Sequence, residues 1–400
     1  MNTDIQFNQT AEGFYGLAVI GVDGEIKRKC NFMAHNLILN SGMDAVADRS
    51  WANCMEFAAA GIGTTPTYQV SGAVRLHQVG DQVTFDAAQT LSAGDTLVYY
   101  GTNIVKITNV GSPTQVTVHP PMTSSGWPTF DKWYTSQTGL VSQSKRAGLG
   151  IYNTYYVAGT EWAFTQDVEY QKQMRRTWDF SPETVLTHYT ELGVAWSPSS
   201  NLFSRILLDT PEDIDVGERL RVIYQLNVVF GPTSETAGTP TITGWSSTAG
   251  SGKVQRLLTD WINNSGTTVS GTGALEAHTS GNECKAWLST SDTALQAWGY
   301  ALSRAIPMSD QASTVKDVFT AGTWAVNKTA RFGLTDVVSN NIRSTGVGFN
   351  DSVLNESFDG TNQAYAFLFN NPQTKANTQR LNLTYRFSWD RVLSTENITL

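Results

Sequence analysis

The sequence predicts a mainly β fold: an antiparallel β-sandwich core, a small β-barrel inserted into it and a C-terminal α+β region. Three observations predict it. Segment 380–393 alternates strictly, with Leu381, Leu383, Tyr385, Phe387 and Trp389 on one face and Asn382, Thr384, Arg386 and Ser388 on the other. Across 67–125, short apolar runs recur roughly every 8 to 12 residues between turn signals, the rhythm of a small barrel or sandwich. Helical periodicity, by contrast, is confined to two short stretches.

The elements follow in order. Residues 14–20, the turn signal Asp23-Gly24 and residues 25–32 read as a β-hairpin. Asn40 or Ser41 then caps a helix of about two or three turns, with Met43, Val46 and Ala47 on one face. A small-residue strand over 54–62 leaves through Gly61-Ile62-Gly63-Thr64-Thr65-Pro66. The barrel occupies 67–125, with strands near 83–85, 96–100, 103–110 and 115–119, and the Pro/Gly/Ser-rich stretch 119–128 closes it. Strands over 151–157, 162–170, 174–180, 189–195, 202–208 and 220–230 complete the sandwich. In the last of these, Leu220, Val222, Tyr224, Leu226 and Val228 face the core, while Arg221, Ile223, Gln225 and Asn227 lie on an available face. After a Gly/Ser/Thr-rich junction at 231–253, a helix is expected over 253–263 on the stripe Val254, Leu257, Leu258 and Trp261, then strands near 323–332 and 364–369. The sandwich thus draws on 1–66, 126–230 and 380–400, the barrel on 67–125, and a peripheral α+β domain on 231–379.

Composition limits the function. With 400 residues, 40% hydrophobic and 12 of them Trp, the chain has ample material for a core and none of the character of a disordered protein. Only 16% of residues are charged and the net charge is −8, so the basic footprint of nucleic-acid binding is missing and no direct nucleic-acid partner is expected. No 18-residue apolar run and no secretory signal are visible, which predicts a chain without membrane insertion. Cys30, Cys54 and Cys284, an odd number without CxxC, are expected to be free thiols in a protein made in a reducing cytoplasm.

Chemical motifs are sparse, and no catalytic residue, metal ligand or cofactor is assigned. His35, His77, His119, His188 and His278 stand apart with no metal-ligand spacing. No GxSxG occurs, and Gly61-Ile62-Gly63 begins a phosphate-loop pattern that is never completed, so turn glycines are expected there. The acidic run Asp209, Glu212, Asp213, Asp215 and Glu218 offers oxygen ligands or paired carboxylates, but its Pro and Gly point to a solvated loop. Trp245, Trp261 and Trp287 are the best candidates for a glycan-stacking platform.

Two blocks carry a resemblance. The first is Asn36-Leu37-Ile38-Leu39-Asn40-Ser41-Gly42-Met43-Asp44 followed by Ala60-Gly61-Ile62-Gly63-Thr64-Thr65-Pro66. The second runs through Arg175-Arg176-Thr177-Trp178-Asp179-Phe180, Tyr189-Thr190-Glu191-Leu192-Gly193-Val194, Asn201-Leu202-Phe203-Ser204-Arg205 and Gly217-Glu218-Arg219-Leu220-Arg221-Val222-Ile223-Tyr224. In order, they resemble tail-associated structural proteins of tailed bacteriophages, over roughly 12–66 and 140–230. The resemblance implies a non-enzymatic virion component of the tail or neck (sheath, collar or fibre) made in the host cytoplasm. Its implied partners are further copies of itself, as trimer or hexamer, and other tail or neck proteins. The alternative is an adhesin recognising host-surface glycan. Within the second block, Glu191 is expected either to pair with an arginine such as Arg205 or Arg176 or to be solvated, and Gly193 either to allow a bend or a close backbone approach or to sit in an ordinary bulge.

Overall fold

Strand Ile5–Ile20 organises the larger part of the chain. A computed structural model describes residues 5–30, 33–47, 52–147, 151–153, 171–231, 236–240, 242, 245, 248–257, 284–290, 310–316, 319–336, 339–350 and 361–393. One edge of this strand pairs antiparallel with Arg219–Gly231 along residues 8–20. Its other edge is shared out: residues 5–11 run parallel to Leu381–Arg391, residues 13–15 pair with Ala34–Ile38, and residues 18–20 pair with Ile26–Lys29 across the expected hairpin turn. Gly24 makes that turn at φ +88°, where glycine escapes the Cβ clash. The parallel pairing with the last strand departs from a purely antiparallel sandwich. No short turn joins the two strands, so nothing local fixes their relative direction.

The first sheet continues on one side through Gln171–Asp179 to Ile151–Asn153, and on the other from Leu381–Arg391 to Ala325–Phe332. A second sheet runs in the order Gln143–Ala147, Phe57–Gly61, Thr187–Ala195, Leu202–Ile214. Strand Ala34–Ile38 belongs to both, pairing with the first sheet through residues 34–36 and with Ser204 and Arg205 of the second through Ile38 and Leu37. It forms a corner between the sheets. Tyr15, Leu17, Trp178, Val222 and Tyr224 of the first sheet and Leu192, Val194, Phe203 and Ile206 of the second fill one apolar core. The period-two face of the terminal strand is buried as read, from Leu381 to Trp389. Strand Arg219–Gly231 is less one-sided than its alternation implies, because Ile223 and Asn227 are buried as well. Alternation decides which side a residue faces, and whatever covers that side decides its burial.

The helix spans only Asn40–Ala45, shorter than expected, with Leu39 at its cap position and no side-chain cap. Met43, Val46 and Ala47 nevertheless enter the core. Residues Tyr68–Phe85, Gln115–Thr123, Asn103–Ser112, Thr96–Tyr99 and Thr129–Trp133 close into a barrel, in that order around its wall. Its interior is Leu76, Val83, Phe85, Leu97, Tyr99, Val105, Ile107, Val116, Val118 and Phe130. The closing strand lies past residue 125, where the punctuation 119–128 suggested a boundary.

In the third region the described elements are strands: Thr236–Gly238, Gly250–Leu257, Thr361–Lys375, Ser339–Asn350 and Cys284–Ser289, paired in that order. The helix expected over 253–263 is therefore corrected over its described part, since Gly250–Leu257 pairs antiparallel with residues 363–369. A short apolar run fits helix and strand alike, and the available partner edge decides between them. The remainder, 258–263, lies outside the described residues, as do 154–157 and 162–170 of two expected strands. Strand Asp310–Lys316 joins this sheet to the sandwich, with residues 310–313 on Cys284–Ser289 and 314–316 on Ala325–Phe332.

Candidate functional site

The two motif blocks meet at Glu191. Its carboxylate faces Arg205 of the neighbouring strand, with Nε 2.8 Å and Nη2 2.7 Å from Oε2, and both side chains are fully buried. Three backbone N–H groups also donate to it: Gly63 at 3.0 Å and Ser142 at 2.8 Å to Oε1, and Val141 at 3.1 Å to Oε2. Arg205 uses Nη1 to donate to Gln137 Oε1 at 2.7 Å. A charge in such a place is tolerable because its lone pairs are matched by donors. The glycines follow from the same packing. A Cβ on Gly63 would stand 2.4 Å from Glu191 Oε1, one on Gly61 2.5 Å from the Ser142 carbonyl, and one on Gly193 2.6 Å from Leu202. Gly61-Ile62-Gly63 is thus a wrap around a protein carboxylate, not a phosphate cradle.

The acidic run is corrected in part: Asp209, Asp213 and Asp215 are exposed as expected, but most of the run is strand, and Glu212 and Glu218 are buried in ion pairs. Strand Leu202–Ile214 carries Asp209, Glu212 and Asp213, and only 215–218 turns. Glu218 is buried and bound to Lys27, and Glu212 lies 2.5 Å from Arg28. The Lys27 ammonium holds the Glu218 carboxyl below its ordinary range, whereas burial pushes Glu212 up against the pull of Arg28. Buried Glu183, beside this turn, takes Lys145 at 2.7 Å and the Tyr189 hydroxyl at 2.7 Å. On the same end stand Val22, Val185, Leu186 and Val216, each 50% to 78% exposed. Their connections touch: Glu183 N–H donates to the Glu218 carbonyl, Gly217 N–H to the Glu183 carbonyl, and a Cβ on Gly217 would lie 2.9 Å from Val22.

A concave feature lies where sandwich, barrel and third region meet. A cleft of about 640 Å³ is lined by Ser41, Asp44, Lys106, Thr138, Trp196 and Phe319, among others. Helix residue Asp44 accepts at Oδ1 from Gly322 N–H at 2.7 Å and Trp324 Nε1 at 3.1 Å. Two cations lie over the Trp324 ring, Lys106 at 4.9 Å and Arg391 at 4.7 Å from its centroid. Burial lowers the Lys106 ammonium, with Asp44 working against that shift, and burial takes the Arg391 guanidinium down to about 10. Asn40 does not cap the helix: its amide donates to Gly94 of the barrel at 2.7 Å and its oxygen accepts from Arg391 at 2.6 Å. Sequence patterning could not find this cleft, because Asp44 and Lys106 come from separate units and neither lies in a chemical motif.

The histidines are dispersed. His35 meets Glu12 at 3.0 Å, His77 stacks on Trp127, and His188 meets Asp213 at 2.5 Å on the surface. His119 ends its strand's pairing with Asn103–Ser112, opposite Lys106, and His278 lies outside the described residues. Among the described residues no group of three or more His, Cys, Asp or Glu could hold a metal, and no helix is long and apolar enough to cross a membrane. Cys30 and Cys54 are buried, Cys30 Sγ accepting from Leu17 N–H at 3.2 Å, and Cys284 begins a strand. Of the three tryptophans considered for a glycan platform, Trp245 donates Nε1 to the Thr374 carbonyl at 2.8 Å and packs edge-on to Phe369, a structural placement. Trp287 pairs opposite Gly346 within a strand, and Trp261 lies outside the described residues. In comparisons with known proteins, no family model, no curated protein and no solved structure matches the chain.

Proposed function

We propose that this chain is a structural subunit of the tail or neck of a tailed bacteriophage, assembling as a symmetric homo-oligomer beside other tail proteins. The observation that supports the reading is where the motif residues go. Gly61, Gly63, Glu191, Gly193 and Arg205, drawn from both blocks of the resemblance, meet in one buried brace between strands instead of lining a cleft. Residues that serve architecture suit a protein whose work is mechanical. The aliphatic end at Val22, Val185, Leu186 and Val216 supplies a surface for subunit contact, since adjoining exposed apolar side chains gain by being covered. Low charge over the rest of the surface lessens the desolvation that large interfaces require.

Immunogold electron microscopy tests the reading. Antibody raised against the purified chain is expected to decorate the tail or neck of phage particles released from the host that makes it. Particles left bare, with the chain recovered only in free form from the lysate, would overturn it.

A further inference from the structure

We propose that the cleft between helix Asn40–Ala45, the barrel and segment 319–322 binds a neutral saccharide unit presenting adjacent hydroxyls. This inference is independent of the virion reading and rests on which polar groups the fold leaves open. Asp44 spends Oδ1 on Gly322 and Trp324, and its Oδ2 takes no donor among the described residues. Lys106, half-buried, contacts the face of Trp324 but donates to no acceptor among the described residues. The side chains of Thr138 and Asn201, both on the wall, likewise make no hydrogen bond within the described residues. The open set is therefore one carboxylate oxygen, one ammonium, one hydroxyl and one amide, and it includes both donors and acceptors.

A ligand that satisfies such a set must itself donate and accept from neighbouring atoms. A sugar hydroxyl does both, donating to Asp44 while its neighbour accepts from Lys106. The charged side chains lining the cleft are Asp44 and Lys106, of opposite sign, and Arg391 behind Trp324 donates to the Ile38 carbonyl and Asn40, so the lining favours a neutral ligand over a strongly charged one. Trp196 and Phe319 add the apolar wall that the C–H face of a pyranose needs, and both are partly buried against the main core and so held in place. A volume of about 640 Å³ lies in the range of small-ligand sites. The position also makes sense of the fold: three units converge there, the kind of junction where binding clefts form.

The test is saturation-transfer NMR on the full chain. The probes are the methyl α-glycosides of glucose, galactose and mannose, and N-acetylglucosamine, each at about 10 mM, a concentration that reveals even millimolar affinity. At least one probe is expected to receive saturation. Lys106→Met and Asn201→Ala are each expected to reduce that signal about fivefold or more with little change in the thermal melt, since neither side chain holds a hydrogen bond among the described residues and methionine keeps an apolar stem against Trp324. Asp44→Asn keeps the Oδ1 acceptor and is expected to weaken the signal in the same direction. No transfer to any probe, or transfer unchanged in both folded variants Lys106→Met and Asn201→Ala, would overturn the proposal.

Discussion

Glu191 and Arg205 form a fully buried ion pair on adjacent strands of the second sheet, and the carboxylate also gathers three backbone N–H groups from residues 63, 141 and 142. Breaking such a pair from one side strands a charge, whereas replacing both partners by apolar groups removes the charge altogether. Glu191→Met is therefore expected to lower stability by about 3–5 kcal/mol. The double change Glu191→Met with Arg205→Met should cost less than the sum of the single changes. Urea denaturation of the single and double variants measures this, and strictly additive losses would refute the coupling.

The glycines around this pair are expected to differ in a way that backbone flexibility alone does not predict. Gly61→Ala forces a Cβ against the Ser142 carbonyl, a backbone atom that cannot swing away, and should cost about 1–3 kcal/mol. Gly193→Ala meets mainly the end of the Leu202 side chain and should cost less. Gly24→Ala has open space but a positive φ, for about 1 kcal/mol. Ranking the three by denaturation midpoint checks the assignment, and Gly24 emerging as the most sensitive would contradict it.

Acid should weaken the end of the sandwich that carries Lys27 and Glu218. Because the Glu218 carboxyl is depressed in the folded chain, its contribution is present above the ordinary value of 4.5 and is lost as pH falls through the lower folded value. Glu212, raised by burial, opposes this, its penalty relaxing as pH falls. Glu218→Gln should thus lie below the parent in stability at pH 7, with the gap closing in acid below about pH 4.5. Thermal melts across that range provide the measurement, and a gap that ignores pH would rule out the ion pair as its source.

Asn40 joins helix, barrel and terminal strand through Gly94 and Arg391. Asn40→Ala is expected to loosen the barrel from the sandwich, losing about 1–3 kcal/mol with the buried guanidinium left short of an acceptor. Limited proteolysis should then cut the barrel loop 86–95, which carries Gly94, or the connection 134–142 between barrel and sandwich faster than in the parent chain. Unchanged cleavage there would place the barrel's attachment elsewhere.

The sequence by itself determined the β character, the hairpin, the barrel and the buried face of 381–389, because period-two alternation and turn chemistry are local properties that a strand needs whatever it packs against. It left Glu191 open between a solvated carboxylate and a pair with an arginine such as Arg205 or Arg176. Tertiary structure alone chose Arg205, since register places Gly193 opposite Arg205 and brings the 61–63 turn over the carboxylate. It turned Asn40 from a helix cap into a link to the barrel, made a strand of 250–257 by offering it an edge at 363–369, and laid residues 5–11 parallel to 385–391. The cleft of Asp44 and Lys106 likewise exists only once separate units meet. Each of these depends on contacts between residues far apart in the chain, where local propensity is silent and the competition among possible partners is settled by packing and hydrogen-bond satisfaction.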